Sequence, residues 1–241
     1  MSTHSFIVNP KIGSNHTHTV ILLHGRGSTS QEFSGEFFES EASEPKDQAR
    51  TLPDLFPTIR WVFPSSPLIY STRFKCMESQ WFDMWSTEEP NTRPEIQATG
   101  LRRSIEMVAS VIALEEIKIP RNKIFLGGIS QGFAVAYAAY KMGEKGLAGL
   151  VGFSSWAPLP ALSLIAPNNG IQQEPINLFL GHCKDDAVIP IGEGQRLRDS
   201  FAGVGRVGTV VEFHEYEDGG HWINEPQGVD DVVTFLRRNM S

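Results

Sequence analysis

The run Lys123-Ile124-Phe125-Leu126 passes directly into Gly127-Gly128-Ile129-Ser130-Gln131-Gly132 and then into the alanine-rich stretch Phe133–Tyr140. A strand followed by Gly-x-Ser-x-Gly and a helix leaves little freedom, because the turn is sharp and holds its serine on strained backbone at the carboxyl end of the strand. Glycines two residues either side of Ser130 let neighbouring backbone approach without a Cβ clash. The turn lifts the hydroxyl above the sheet, where the amino end of the next helix stabilises a developing negative charge. Ser130 is the candidate nucleophile.

The rest of the chain has the pattern such a turn needs. Short apolar runs at Thr19–Leu23, Ile59–Phe63, Lys123–Leu126, Gly149–Phe153, Ile176–Leu180 and Gly208–Glu215 read as strands. Apolar residues at three- and four-residue spacing predict helices over Glu95–Leu114, Gln131–Met142, Gly192–Phe201 and Glu225–Arg238. The alternation predicts an α/β fold with a mainly parallel central sheet, and the nearly continuous apolar strands imply helices on both of its faces. With 241 residues, 40% of them hydrophobic, a single domain over 1–241 is expected, with 1–18 as a flexible or edge segment. Ser34–Asp54 reads as a polar, acidic loop. Pro64–Pro94 has no clear period but carries Tyr70, Phe74, Trp81, Phe82 and Trp85, which predicts either a cap over a pocket or an excursion whose aromatics plug the core.

A serine hydroxyl is a poor nucleophile until a base takes its proton, and in this kind of sheet the order along the chain is serine, acid, histidine. Two histidines lie late enough. His214 falls inside a strand, whereas His221 follows the turn Glu217-Asp218-Gly219-Gly220 and can reach back over the sheet, so His221 is the expected base. The loop after Ile176–Leu180 offers two adjacent carboxylates, Asp185 and Asp186, and spacing alone does not choose between them. An oxyanion needs two preset backbone donors. The N–H after the serine belongs to Gln131, and Leu22-Leu23-His24-Gly25-Arg26-Gly27 is a glycine-bearing loop that can present the N–H of Arg26.

Taken in order, Leu22-Leu23-His24-Gly25-Arg26-Gly27, Gln80-Trp81-Phe82-Asp83, Gly128-Ile129-Ser130-Gln131-Gly132, Asp186-Ala187-Val188-Ile189-Pro190 and Gly220-His221 resemble the phospholipase/carboxylesterase family of α/β-hydrolases. Acyl-protein thioesterases and lysophospholipases belong to that family. The resemblance runs from about Thr19 to Arg238. It implies an α/β-hydrolase fold with a loop-rich cap, and a serine hydrolase that cleaves carboxylic esters or thioesters without metal or organic cofactor. By matching positions it implies Ser130 as nucleophile, Asp186 as acid, His221 as base, and the N–H groups of Arg26 and Gln131 as oxyanion hole. Leu68, Trp81, Phe82, Phe133, Trp156 and Leu159 are expected to line the acyl site. Where the family has an aromatic residue and a glycine flanking Ser-Gln-Gly, this chain has Ile129 and Phe133, and Phe133 is expected to narrow the acyl channel. The fold without the chemistry, as a ligand-binding or interaction protein, is the alternative.

Charge and cysteine content bound the partners. Lys and Arg total 21 against 28 Asp and Glu, a net charge of −7 with no polybasic block, which argues against nucleic acid. Cys76 and Cys183 are too few and too distant for a disulfide framework or zinc site, and read as free thiols. Without a secretory signal or an apolar span, a cytoplasmic protein with no stable membrane anchor is expected, its substrate a small-molecule or lipidated-protein acyl ester or thioester. Whether it forms a homodimer stays open.

Overall fold

The computed structural model describes residues 5–165, 175–201 and 208–240. In chain order its elements are β1 (Ser5–Val8), β2 (His18–Leu23), α1 (Ser30–Glu39), α2 (Leu52–Leu55), β3 (Ile59–Pro64), β4 (Leu68–Tyr70), β5 (Met77–Ser79), α3 (Pro94–Glu116), β6 (Ile124–Ile129), α4 (Gln131–Met142), β7 (Gly149–Phe153), α5 (Leu159–Ile165), β8 (Asn177–Cys183), α6 (Ile191–Asp199), β9 (Val210–Tyr216) and α7 (Gln227–Asn239). Among the described residues the main sheet has seven strands in the order β1-β3-β2-β6-β7-β8-β9. β1 pairs antiparallel with β3 and forms one edge, while every other pairing is parallel. All the loops that leave the carboxyl ends of β2, β6, β7, β8 and β9 therefore gather on one rim.

Strand periodicity divides the core into two layers. Ile21 and Leu23 of β2 face α3, α4 and α5 together with Leu126, Leu150 and Leu178. Val20 and Leu22, one residue out of phase, face α1 and α7 with Phe125, Val151 and Phe179. α4 is buried along nearly its whole length, and its alanines at 134, 136, 138 and 139 let it lie close to the strands and to α3. Burying each large apolar side chain here contributes about 1.5–3 kcal/mol, so the sheet is the rigid platform from which the rim loops project.

Several boundaries differ from the sequence expectation for physical reasons. β6 continues to Ile129, because Gly127 and Gly128 are strand residues paired with Leu22 and Leu23 on one side and Val151 and Gly152 on the other. The expected loop Ser34–Asp54 is half helical. α1 is capped by Thr29, whose hydroxyl accepts the Glu32 N–H at 3.2 Å, and it buries Phe33 and Phe37, four residues apart on one face. α7 begins at Gln227 rather than Glu225, since Pro226 serves as its N-cap. Pro64–Pro94 resolves into the small antiparallel hairpin of β4 and β5 followed by an irregular segment. Its aromatics divide: Trp81 and Phe82 are buried in the core, as an excursion that plugs the core requires, whereas Tyr70 and Phe74 stand exposed on the hairpin. No helix among the described residues is long and apolar enough to cross a membrane.

Candidate active site

Ser130 sits between β6 and α4 with φ 55° and ψ −125°, in the left-handed half of the map that non-glycine residues seldom occupy. The surroundings hold it there. Its N–H donates to the Phe153 carbonyl at 2.9 Å, and its own carbonyl accepts the Ser155 hydroxyl at 2.7 Å. A Cβ on Gly128 or Gly132 would collide with the Leu23 carbonyl, so these glycines are what let the loop after β2 close onto the elbow. Contact follows directly: a Cβ on Gly25 would lie 3.6 Å from the Ser130 Cβ. Gln131 opens α4, so its N–H has no partner within the helix and is free to act beside Ser130.

The two late rim loops supply the acid and the imidazole. Asp186 follows β8 and its side chain is fully buried, while His221 follows β9 and is 23% exposed. Oδ1 of Asp186 accepts the N–H groups of Val188 at 2.8 Å and Ile189 at 2.9 Å. Oδ2 lies 2.8 Å from Nδ1 of His221 and 3.3 Å from Nε2 of His182. An ionised carboxylate only accepts, so His221 donates its Nδ1–H to Asp186 and Nε2 is the ring nitrogen not engaged by this bond. Burial alone would raise the Asp186 pKa, but the hydrogen bonds from His182 and His221 and the backbone donor of Ile189 outweigh it and hold the carboxyl well below its usual range.

Asp185, the neighbour, has a different task. Its Oδ1 accepts the Gly220 N–H at 2.8 Å, which ties the residue just before His221 to the acid loop. Cys183 is a buried free thiol beneath the same loops, its pKa pushed up to about 11, chiefly by burial and then by nearby carboxylates. His214 is elsewhere: its Nδ1 lies 3.2 Å from Asp231 Oδ2, and its ring stacks on Phe179.

The loop after β2 is braced from both sides. His24 is fully buried and accepts the Ser66 N–H on Nε2 at 3.1 Å, so its Nδ1–H donates to the Gly25 carbonyl at 2.7 Å. Burial lowers its pKa, against the pull of that Gly25 hydrogen bond, which keeps the ring neutral. The Arg26 side chain binds Glu78 Oε2 from Nε at 3.0 Å and Ser71 Oγ at 3.3 Å, and its guanidinium lies 4.9 Å from the centre of the Phe74 ring, so the hairpin is fastened to this loop. Gln131 also acts through its side chain, accepting the Trp81 N–H and donating to the Phe82 carbonyl, both at 2.8 Å. Trp81 Nε1 in turn donates to the His24 carbonyl at 2.8 Å. Sequence reasoning placed Gln131 here only for its backbone; the side-chain role had no local signal.

The residues expected to line the acyl site divide. Leu68 on β4 and Leu159 at the start of α5 are exposed, at 67% and 45%. Trp81, Phe82, Phe133 and Trp156 are buried in the core, with Phe82 and Trp156 packed edge to face. The Phe133 ring lies against β7, where a Cβ on Gly152 would come within 2.6 Å of it. The side chain leaves the helix toward the sheet, on the face opposite to solvent.

A parallel sheet with helices on both faces, a serine elbow after a central strand, and an Asp–His pair on the same rim define an α/β-hydrolase. The chain belongs to the phospholipase/carboxylesterase family, whose sequence profile matches residues 2–240, and it stands among ester-cleaving hydrolases. It is 29% identical over 226 residues to acyl-protein thioesterase 1 of Yarrowia lipolytica, covering 93% of each chain. It is 31% identical over 188 residues to acyl-protein thioesterase 1 of Schizosaccharomyces pombe, covering 77% of this chain and 75% of that one. The crystal structure of Zea mays acyl-protein thioesterase 2 superposes with a TM-score of 0.73 at 25% identity, over 100% of both chains.

Proposed function

We propose that the protein hydrolyses carboxylic esters and thioesters through an acyl-enzyme on Ser130, with Asp186 and His221 completing the triad. Ser130 Oγ attacks the acyl carbonyl while its proton passes to Nε2 of His221, and Asp186 holds that imidazole and stabilises the imidazolium. The N–H groups of Arg26 and Gln131 receive the oxyanion, a contribution worth about 10²–10³ in rate for each donor of this kind. Collapse expels the alcohol or thiol with the proton from His221. Water then attacks the acyl-enzyme with the same base, which releases the acid and restores Ser130.

The observation that carries the assignment is the 2.8 Å contact of His221 Nδ1 with buried Asp186 Oδ2, on the rim that also bears the strained Ser130. The family relatives named acyl-protein thioesterases favour a thioester on a lipidated protein as substrate. Exposed Leu68 and Leu159 are the residues of the expected set that can touch an acyl chain. Unpaired Cys76 and Cys183 suit a reducing compartment, in keeping with a cytoplasmic site of action.

The test is fluorophosphonate labelling with peptide mapping, followed by kcat/KM on matched short- and long-chain acyl esters and thioesters. An adduct on Ser130 that vanishes in Ser130→Ala, with turnover of thioesters, is the expected result. Absence of the adduct from the parent protein would overturn the assignment and leave a binding protein on a hydrolase scaffold.

A further inference from the structure

Asp186 sits on a loop, and the donors to its Oδ1 come from the same loop, Val188 and Ile189. His221, on Oδ2, belongs to a second loop. Of the donors to this carboxylate, His182 is the one that comes from the sheet: it lies on β8, in register with Glu215 of β9, and its side chain is 2% exposed. Its Nε2 is 2.9 Å from the Ile189 carbonyl and 3.3 Å from Asp186 Oδ2. Both partners are acceptors, so Nε2 carries the hydrogen and shares it between them. One ring thus fastens the acid loop to the sheet at two points.

The opposite edge of the ring is equally determined. Nδ1 of His182 faces Gly194 of α6, and a Cβ at that position would collide with it. Glycine is a poor helix former, yet it occupies a buried helical position where alanine has no room.

We propose that His182 is a positioning residue of this site, its shared Nε2–H fixing the Asp186 oxygen on which His221 turns. The inference rests on the serine-hydrolase assignment. Without that donor, Oδ2 keeps His221 alone, and carboxylate and imidazole can tilt together about the pivot at Oδ1. Such a tilt misplaces Nε2 of His221 relative to the Ser130 hydroxyl and affects the chemical step rather than substrate capture.

Three variants separate this role from packing. His182→Leu keeps apolar bulk and removes the donor, His182→Gln restores an N–H on a side chain of similar reach, and Gly194→Ala leaves His182 intact but pushes its ring away. Melting curves establish folding, fluorophosphonate labelling reports Ser130, and steady-state kinetics on a soluble acyl ester give kcat and KM. The expected result is a kcat lowered about ten- to hundredfold in His182→Leu and Gly194→Ala with KM within about twofold, and His182→Gln within about threefold of the parent. A folded His182→Leu with parental kcat would overturn the proposal, as would His182→Gln impaired as severely as the leucine variant. Should His182→Leu fail to fold, Gly194→Ala and His182→Gln decide: parental kcat in the first or no activity in the second also overturns it. If the parent itself is not labelled at Ser130, the hydrolase assignment falls instead, so the two failures are distinct.

Discussion

Replacing Asp186 by asparagine exchanges one oxygen for an NH₂ group at nearly constant volume, and the structure dictates which oxygen is lost. Oδ1 accepts two backbone N–H groups, from Val188 and Ile189, which an amide nitrogen cannot do. The asparagine carbonyl must therefore take the Oδ1 place, and the NH₂ must take the place of Oδ2. It then points at Nδ1 of His221 from 2.8 Å and at the Nε2–H of His182 from 3.3 Å. His221 can accept that donor only by moving its proton from Nδ1 to Nε2, the nitrogen that must be empty to receive the Ser130 proton. Loss of the correct tautomer with geometry preserved costs about 10⁴ in kcat in a serine-histidine-aspartate site, and the same order is expected here. His182 keeps its bond to the Ile189 carbonyl and faces a donor it cannot pair with, so stability falls by about 1–3 kcal/mol as well. Steady-state kinetics and urea unfolding on the same preparation measure the two effects. A kcat within tenfold of the parent, with Ser130 still labelled, would refute the placement of Asp186 behind the base.

Three further outcomes follow from other contacts. The Asp186 pKa is lowered on folding, so its contribution to stability is present above the ordinary carboxyl value of 3.8 and is lost as pH falls through the folded value; acid unfolding curves of the parent should steepen below about pH 4, and Asp186→Asn should flatten that part of the curve. Gln131→Ala strands the buried Trp81 N–H and Phe82 carbonyl, a loss of about 2–5 kcal/mol by chemical denaturation, and an unchanged urea midpoint would show that these bonds do not hold the segment. Phe133→Ala should cost about 3–5 kcal/mol from the cavity beside Gly152 while leaving acyl-chain-length preference alone, and a selective gain on long chains would return Phe133 to the channel wall.

The parts of the molecule legible in its sequence share a physical reason, as do the parts that were not. β2, β3, β6, β7 and β8 announce themselves because strands covered on both faces must be apolar at consecutive positions. Ser130, Asp186 and His221 stand beside glycines or turns after β6, β8 and β9, where local backbone chemistry marks a place for side chains to leave the sheet. α1 is hidden because its fully buried apolar face is only the Phe33–Phe37 pair, and Ser34, Gly35 and Glu36 between them have the composition of a loop. Within Pro64–Pro94 no local period separates buried Trp81 and Phe82 from exposed Tyr70 and Phe74, since what buries the first pair is the core built by α3, α4 and α5, to which the Gln131 side chain, 50 residues away from Trp81, fastens their backbone. The adjacent carboxylates make the same point at closer range. Asp185 and Asp186 leave the chain in different directions, one to the Gly220 N–H and the other to the His221 ring, and so fix both the backbone and the side chain of one loop. Asp185 is exposed, yet its task is visible only once β8 and β9 lie side by side. A site of this kind is thus spelled locally where the backbone must turn and non-locally where one loop must hold another, and the second set of residues makes the first set's geometry reproducible from molecule to molecule.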